Sequence, residues 1–183
     1  MKFKNYIALA LLAGMAAACD YTDLSPLDSF TDQSYWKSSK DLKLYANGLY
    51  GLLSSPSATL DNTSDNFVTS NYSSYLFDEM TVPTEASGNN GWDWGNIRSC
   101  NYFLSRYQTA QGSENEINKY VAEVRFFRGL LYFSKVKMFG DVPFYDKDLQ
   151  TDDTEQLYKA RDPQDVVIAK VIDDFKYAIK WLP

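Results

Sequence analysis

Four stretches of this chain repeat apolar residues at steps of three and four, the spacing that gathers side chains on one face of an α-helix. In the first, Tyr35, Leu42, Tyr45, Leu49 and Leu52 form a stripe, and Thr31 or Asp32 stands where a side chain can cap the leading N–H groups. This predicts a helix over 32–53. In the second, Ile97, Cys100, Leu104 and Tyr107 share one side behind a capping Asp93, predicting a helix over 93–108. The third and longest, over 114–139, carries Tyr120, Val124, Phe127, Leu131 and Met138 on one face. It has a marked stop, because Gly140 can take the left-handed conformation that closes a helix and Pro143 forbids continuation. The fourth, over 163–181, opens on Asp162-Pro163-Gln164-Asp165. That run supplies a capping Asp, a Pro at the first helical position and an acid near the positive helix end. Ile168, Ile172, Phe175, Ile179 and Leu182 make its apolar face, which needs a partner to cover it.

Between these helices the pattern changes. Of the 38 positions from 54 to 91, 25 are Ser, Thr, Asn, Asp, Gly or Pro. A loop this long inside a compact domain is usually functional or disordered. Phe67, Tyr72, Tyr75, Phe77 and Trp92 lie in it or at its edge, and aromatics among polar residues favour order. By contrast, only the turn Gln111-Gly112-Ser113 separates the second and third helices, which makes them an αα-hairpin. The fold class is therefore mainly α.

The first nineteen residues are of another kind. Lys2 and Lys4 precede an apolar stretch from Tyr6 to Met15, then Ala16-Ala17-Ala18 and Cys19. This is the plan of a secretory signal peptide, too short to span a bilayer as a mature helix. A cysteine directly after small residues marks a lipoprotein cleavage site, with Cys19 as the lipidated first mature residue. Removing residues 1–18 leaves 16 basic and 24 acidic side chains, a net charge of −8. Such a surface repels phosphate backbones and argues against nucleic-acid binding.

There is no histidine. That removes the Ser-His-Asp and Cys-His arrangements, most zinc sites and the usual near-neutral proton shuttle. With Cys19 lipidated, Cys100 has no disulfide partner and reads as a small buried residue. No phosphate-binding loop is present. Asp61, Asn62, Asp65 and Asn66 bring oxygen ligands close together but lack the order and closing Glu of a calcium-binding EF-hand loop. No metal or cofactor is assigned.

Paired acids occur at Asp61 with Asp65, Asp78 with Glu79, Asp152 with Asp153, and Asp173 with Asp174. A glycosidase needs two carboxylates held across a sugar, one with a raised pKa. Adjacent acids on an exposed helix or loop are usually solvated, and Asp173-Asp174 are read so. Arg125 and Arg128 are read as ion-paired to neighbouring acids, with their stems on apolar surface. No catalytic residue is assigned.

Aromatic residues make up 16% of the chain. Most will fill the core, but an exposed ring beside Asn, Asp, Gln or Arg also suits the apolar face and hydroxyl rim of a sugar. Within 61–92 the best candidate is Trp92, set in Gly88-Asn-Asn-Gly-Trp92, with Tyr72 and Tyr75 in support. Trp94 starts a helix and is assigned to structure.

One long run carries a resemblance. Ala122-Glu-Val-Arg-Phe-Phe-Arg-Gly-Leu-Leu-Tyr-Phe-Ser-Lys-Val-Lys-Met-Phe-Gly-Asp-Val-Pro-Phe144 resembles the signature of the SusD/RagB family, surface glycan-binding lipoproteins of Bacteroidetes. That family carries a run like A-E-A-R-F-L-R-A-x-x-Y-F-x-L-x-x-x-F-G-D-V-P; Val124 and Gly129 stand here where Ala is usual. Thr31-Asp32-Gln-Ser-Tyr-Trp36 with Asn47-Gly48-Leu49-Tyr50, and Trp94-Gly-Asn-Ile-Arg98-Ser-Cys-Asn101-Tyr-Phe103-Leu, resemble two further family stretches. The resemblance spans essentially the whole chain.

It implies tetratricopeptide-like helical hairpins with long irregular loops. Residues 1–18 would be the signal peptide. Residues 19–183 would be a SusD-like N-terminal helical-repeat domain, truncated at its C-terminal end because the family continues with further repeats. The acidic segment Cys19-Asp-Tyr-Thr-Asp23 resembles the tag that sends such lipoproteins to the outer leaflet. The implied protein sits on the outer membrane by its lipid, faces the extracellular side and catalyses nothing. It binds oligosaccharides or polysaccharides and delivers them to a SusC-like TonB-dependent transporter. The alternative is a helical-repeat module whose ligand is a protein or peptide, and a glycosidase using Asp78 or Glu79 stands third.

Overall fold

A computed structural model describes residues 35–53, 76–79 and 91–183. The chain divides into two compact units, Met1–Tyr35 and Trp36–Pro183, and of the first only Tyr35 is described. The second unit is helical. Its elements are α1 (Ser39–Leu49), continued by a 3₁₀ turn at Tyr50–Leu52; α2 (Gly95–Leu104), followed by a 3₁₀ turn at Tyr107–Thr109; α3 (Glu114–Phe139); the single-turn α4 (Thr154–Leu157); and α5 (Gln164–Trp181). No strand occurs among the described residues, only isolated bridges pairing Ser38 with Gln111 and Val142 with Asp162. No described helix is long and apolar enough to cross a membrane. The mainly α class expected from the periodicity is the class observed.

The helices form a zigzag. Trp94 of the α2 entry meets Lys135, and Asn101 meets Arg128, so α2 and α3 run antiparallel. Tyr177 meets Asn118 and Asp174 meets Arg125, so α3 and α5 do the same. Trp36 lies against Phe103 and Tyr45 donates to the Ser99 carbonyl, which sets α1 antiparallel to α2. α3 packs on α1, α2 and α5 together. Its buried residues therefore run around the rod, from Val121, Val124 and Phe127 to Ala122, Gly129, Tyr132, Val136 and Phe139, rather than along the one predicted stripe. Met138, placed on that stripe by the spacing, is exposed.

The caps reveal where the sequence reading holds. Ser113 and Glu116 form a capping box at the start of α3: the Glu116 N–H donates to Ser113 Oγ at 3.3 Å, and the Glu116 carboxylate accepts the Ser113 N–H at 3.4 Å. α3 ends on Gly140 at φ 70°, whose N–H returns to the Val136 carbonyl at 2.9 Å, as its stop signal predicts. Thr31 and Asp32 lie outside the described residues. The cap of α1 is Ser38, boxed with Asp41, so Tyr35 precedes the helix instead of sitting on its stripe.

Two expectations for α5 are corrected. Asp162 does not cap it. The Asp162 carboxylate accepts the Phe144 N–H and Lys159 Nζ, each at 2.7 Å. The cap comes from Asp141, whose Oδ1 accepts the Gln164 N–H at 2.8 Å. The buried face of α5 is Val167, Val171, Asp174 and Ala178, and Ile172 and Ile179 point outward, Ile179 at 80% exposure. The physical reason is a buried ion pair on the inner face. Asp174 is only 1% exposed and not solvated, because Arg125 and Arg128 of α3 both reach it. The two arginines are ion-paired as expected, but with an acid of another helix rather than a neighbouring one.

The main core joins Ile97, Tyr132, Val136, Phe139, Val142, Val167 and Val171, with Trp92, Trp94 and Phe144 packed against it. Cys100 is fully buried, and burial raises its thiol to about 12, so it is an inert apolar filler.

Candidate functional site

The aromatic wall of a cavity is built where the chain enters α2. Gly91 adopts φ 73°, a conformation that calls for glycine, and a Cβ there would also press the flexible end of Met138 aside, 2.9 Å from its Sδ. Its carbonyl accepts Lys135 Nζ at 2.7 Å. Burial lowers the Lys135 ammonium below the ordinary lysine range, with Asp93 opposing the shift. This anchor sets the next residue. Trp92 packs edge-on against Phe139 at 4.8 Å and against Trp94 at 5.3 Å. Asp93 accepts the Gly95 N–H at 2.9 Å in a turn that leads into α2, one residue ahead of the cap position, which Trp94 takes instead. Trp94 continues the wall onto Tyr145 at 5.4 Å, with Lys135 Nζ 4.8 Å from its ring.

The opposite wall is the irregular segment after the Asp-Val-Pro turn. It is held by its backbone at one residue: the Tyr145 N–H donates to the Tyr132 hydroxyl at 2.7 Å, and the Tyr145 carbonyl accepts from that hydroxyl at 3.1 Å and from Asn101 Nδ2 at 2.8 Å. Burial pushes the Tyr132 phenol far above its ordinary value and that of Tyr145 upward too, so both remain neutral donors. Lys159 ties the far end of the segment back, donating to the Phe144 carbonyl and the Asp162 carboxylate. Burial opposes the Asp162 charge, and the hydrogen bonds from Lys159 and Phe144 overcome it, holding this carboxyl below its usual range.

Together these walls enclose a cavity of about 770 Å³. Trp92, Trp94, Tyr145 and Tyr158 line it with Asn101, Gln150 and the cations Arg98, Lys147, Lys159 and Arg161. Tyr158 is 86% exposed, and the Arg161 guanidinium lies over the Trp92 ring at 4.6 Å. Chemically the cavity offers ring faces for stacking and N–H donors at its rim, the combination that sugars require. Among the described residues no carboxylate lines it.

Of the residues singled out in the sequence, Trp92 lines this cavity. Trp94, assigned there to structure alone, lines it as well. Cys19, Tyr72 and Tyr75 lie outside the described residues. So do Asp61 and Asp65, and no group of acids or thiols able to hold a metal occurs among those described. Asp78 and Glu79 are exposed and not part of the wall. Sequence reasoning missed the second wall. Its signal was the run Tyr158-Lys159-Ala160-Arg161, aromatic and basic in a stretch without periodicity.

Comparison with known proteins agrees with this architecture. The SusD-like_3 family, described as starch-binding and associating with the outer membrane, matches residues 22–183. The SusD-like proteins P2 and P25 of Formosa agariphila are each 24% identical to the chain, over 98% and 97% of it. The chain spans 38% of the length of either curated relative. Among solved structures, a SusD-like protein of Bacteroides fragilis superposes with a TM-score of 0.69 at 28% identity, covering 87% of this chain and 33% of that one. A SusD-like carbohydrate binding protein of the same species, at 21% identity and a TM-score of 0.63, covers 81% of this chain and 32% of its own and shares the fold. With the family match running from residue 22 to residue 183, the chain belongs to the SusD-like family.

Proposed function

We propose that this chain is the N-terminal, glycan-contacting part of a surface lipoprotein that binds oligosaccharides and passes them to a SusC-like TonB-dependent transporter. The observation that carries the reading is the cavity, whose wall joins two tryptophans and two tyrosines to Asn101 and a rim of cations. Family membership and the carbohydrate-binding relative support it. Residues 1–18 act as signal peptide, and Cys19 carries the lipid that holds residues 19–183 on the extracellular side of the outer membrane. Tyr72 and Tyr75 extend the aromatic contact from the polar segment. The protein binds without catalysis. The described residues of the cavity wall include no carboxylate, which supports this, since glycoside hydrolysis uses two of them.

The test is titration calorimetry of Cys19→Ala protein, kept soluble by the loss of its anchor, against a panel of neutral and acidic oligosaccharides. Binding that falls about ten-fold or more in Trp92→Ala supports the site, that loss corresponding to about 1.4 kcal/mol of contact. Heat from no member of the panel overturns it. A second reading, a repeat module for a protein ligand, draws on the outward-facing Ile172 and Ile179 of α5. Under it, Ile179→Lys abolishes partner capture and Trp92→Ala does not.

A further inference from the structure

The charge of the cavity wall runs against the charge of the chain. The sequence carries 18 basic and 24 acidic residues, a net −6. Yet the described residues of the wall include Arg98, Lys147, Lys159 and Arg161, and no acid. Their partners do not balance them. Lys159 is committed to Asp162 at 2.7 Å. Arg98 approaches Asp148 at 3.4 Å, but Arg106 holds the same carboxylate at 3.0 Å, so one acid serves two guanidiniums. Asp148 Oδ1 is buried without a hydrogen bond, which shows how loosely Arg98 is engaged. Arg98 is itself mostly exposed. Lys147 and Arg161 have no carboxylate partner among the described residues. Arg161 makes only a 3.5 Å contact with the Asp141 carbonyl and rests on Trp92. Asp146, Asp152, Asp153 and Glu155 belong to the same segment, but they are exposed and stand outside the wall.

A guanidinium beside an apolar wall, lacking an anion, pairs strongly with a carboxylate or sulfate when one is brought to it. A sugar stacked on Trp92 and Trp94 brings its ring substituents to Arg161. Resting on the glycan-binding reading above, we propose that the cavity selects acidic sugars, bearing carboxylate or sulfate, with Arg161 and Lys147 as the residues that read the anion.

The experiment compares matched glycans that differ in charge alone. Oligogalacturonate is set against its methyl ester, and sulfated carrageenan oligosaccharide against its desulfated form. The Cys19→Ala protein is titrated with each at low and high salt. Preference for the acidic member of either pair by about ten-fold or more is expected, shrinking as salt screens the pair. The first pair identifies carboxylate as the source and the second sulfate. Arg161→Gln should remove most of the preference and Arg161→Lys keep part of it. Lys147→Gln should also reduce it; Lys147 is exposed, so this variant tests charge without burdening the fold. Equal affinity within both pairs, or binding confined to neutral glycans, overturns the selection while leaving the glycan-binding reading in place. Binding of no glycan overturns both.

Discussion

Asp174 of α5 grips Arg128 of α3 at two points, Nε to Oδ2 at 2.7 Å and Nη2 to Oδ1 at 2.8 Å. The remaining Arg128 nitrogen donates to Asn101 of α2 at 3.0 Å, and Arg125 reaches Asp174 from the solvent side. Three helices are thereby fixed in register through one guanidinium. Burial works against the Arg128 charge, and the Asp174 carboxylate outweighs it, raising its pKa. Breaking a buried pair strands a charge, which costs about 3–5 kcal/mol, whereas replacing both partners by apolar groups is often neutral. Denaturant unfolding should therefore find Asp174→Ala destabilised by about that amount. The double variant Arg128→Met with Asp174→Leu should recover most of the loss. If Asp174→Ala unfolds like the parent, the pair does not hold the helices.

The capping role that spacing assigns to Asp162 falls to Asp141. Losing a helix cap costs about 1 kcal/mol, so Asp141→Ala should lower stability by roughly that much, with Asp141→Asn largely neutral. Asp162→Ala instead frees Lys159 and the Phe144 N–H. It should speed hydrogen exchange in the cavity's second wall and leave α5 protected. The reverse pattern of exchange would restore Asp162 as the cap.

Gly129 stands where the family run carries Ala. A Cβ here would lie 2.9 Å from Phe175 Cε1. Alanine gains about 1 kcal/mol of helix propensity, and forcing extra volume into a packed site costs about 1–3 kcal/mol. Gly129→Ala should come out slightly less stable in thermal melts, and adding Phe175→Leu should reverse the sign. A clear gain from Gly129→Ala alone would mean that the Phe175 ring gives way freely.

Glu123 is a buried acid on α3 with a raised pKa. Burial is the main cause, partly offset by Lys119, the Tyr50 hydroxyl and Lys43. The fold thus favours the protonated form. Its contribution is fully present below the unfolded value, about 4.3, and is lost as pH rises through the higher folded value. Glu123→Gln, which stays neutral, should melt higher than the parent at pH 7 and level with it near pH 3. A constant difference across that range would deny the linkage.

The helices were legible because their caps and periodicity are local. Ser113 with Glu116 and the Gly140 stop can be read within a few residues. What the spacing could not convey was which side of α5 faces inward. Ile168, Ile172, Phe175 and Ile179 look like the better apolar face, and Asp174 looks like a solvated acid. The true face turns on Arg125 and Arg128, 49 and 46 residues earlier in the chain. The cavity was half legible for the same reason. Trp92 announces itself among glycines and asparagines, while the Tyr145 backbone is held in place by Tyr132 and Asn101, which belong to two other helices.

The central position of α3 decides how the unit comes apart. In a solenoid each repeat leans only on its neighbours, and one end can fray while the other persists. Here α1, α2 and α5 all lean on the same rod. Losing α3 strips cover from all three at once and leaves, between α1 and α2, the aromatic contact of Trp36 and Tyr45 with Phe103. Thermal melting of this unit should accordingly follow one cooperative transition, and native-state hydrogen exchange should find the slowest amides in α3, in the turns from Val121 to Val136.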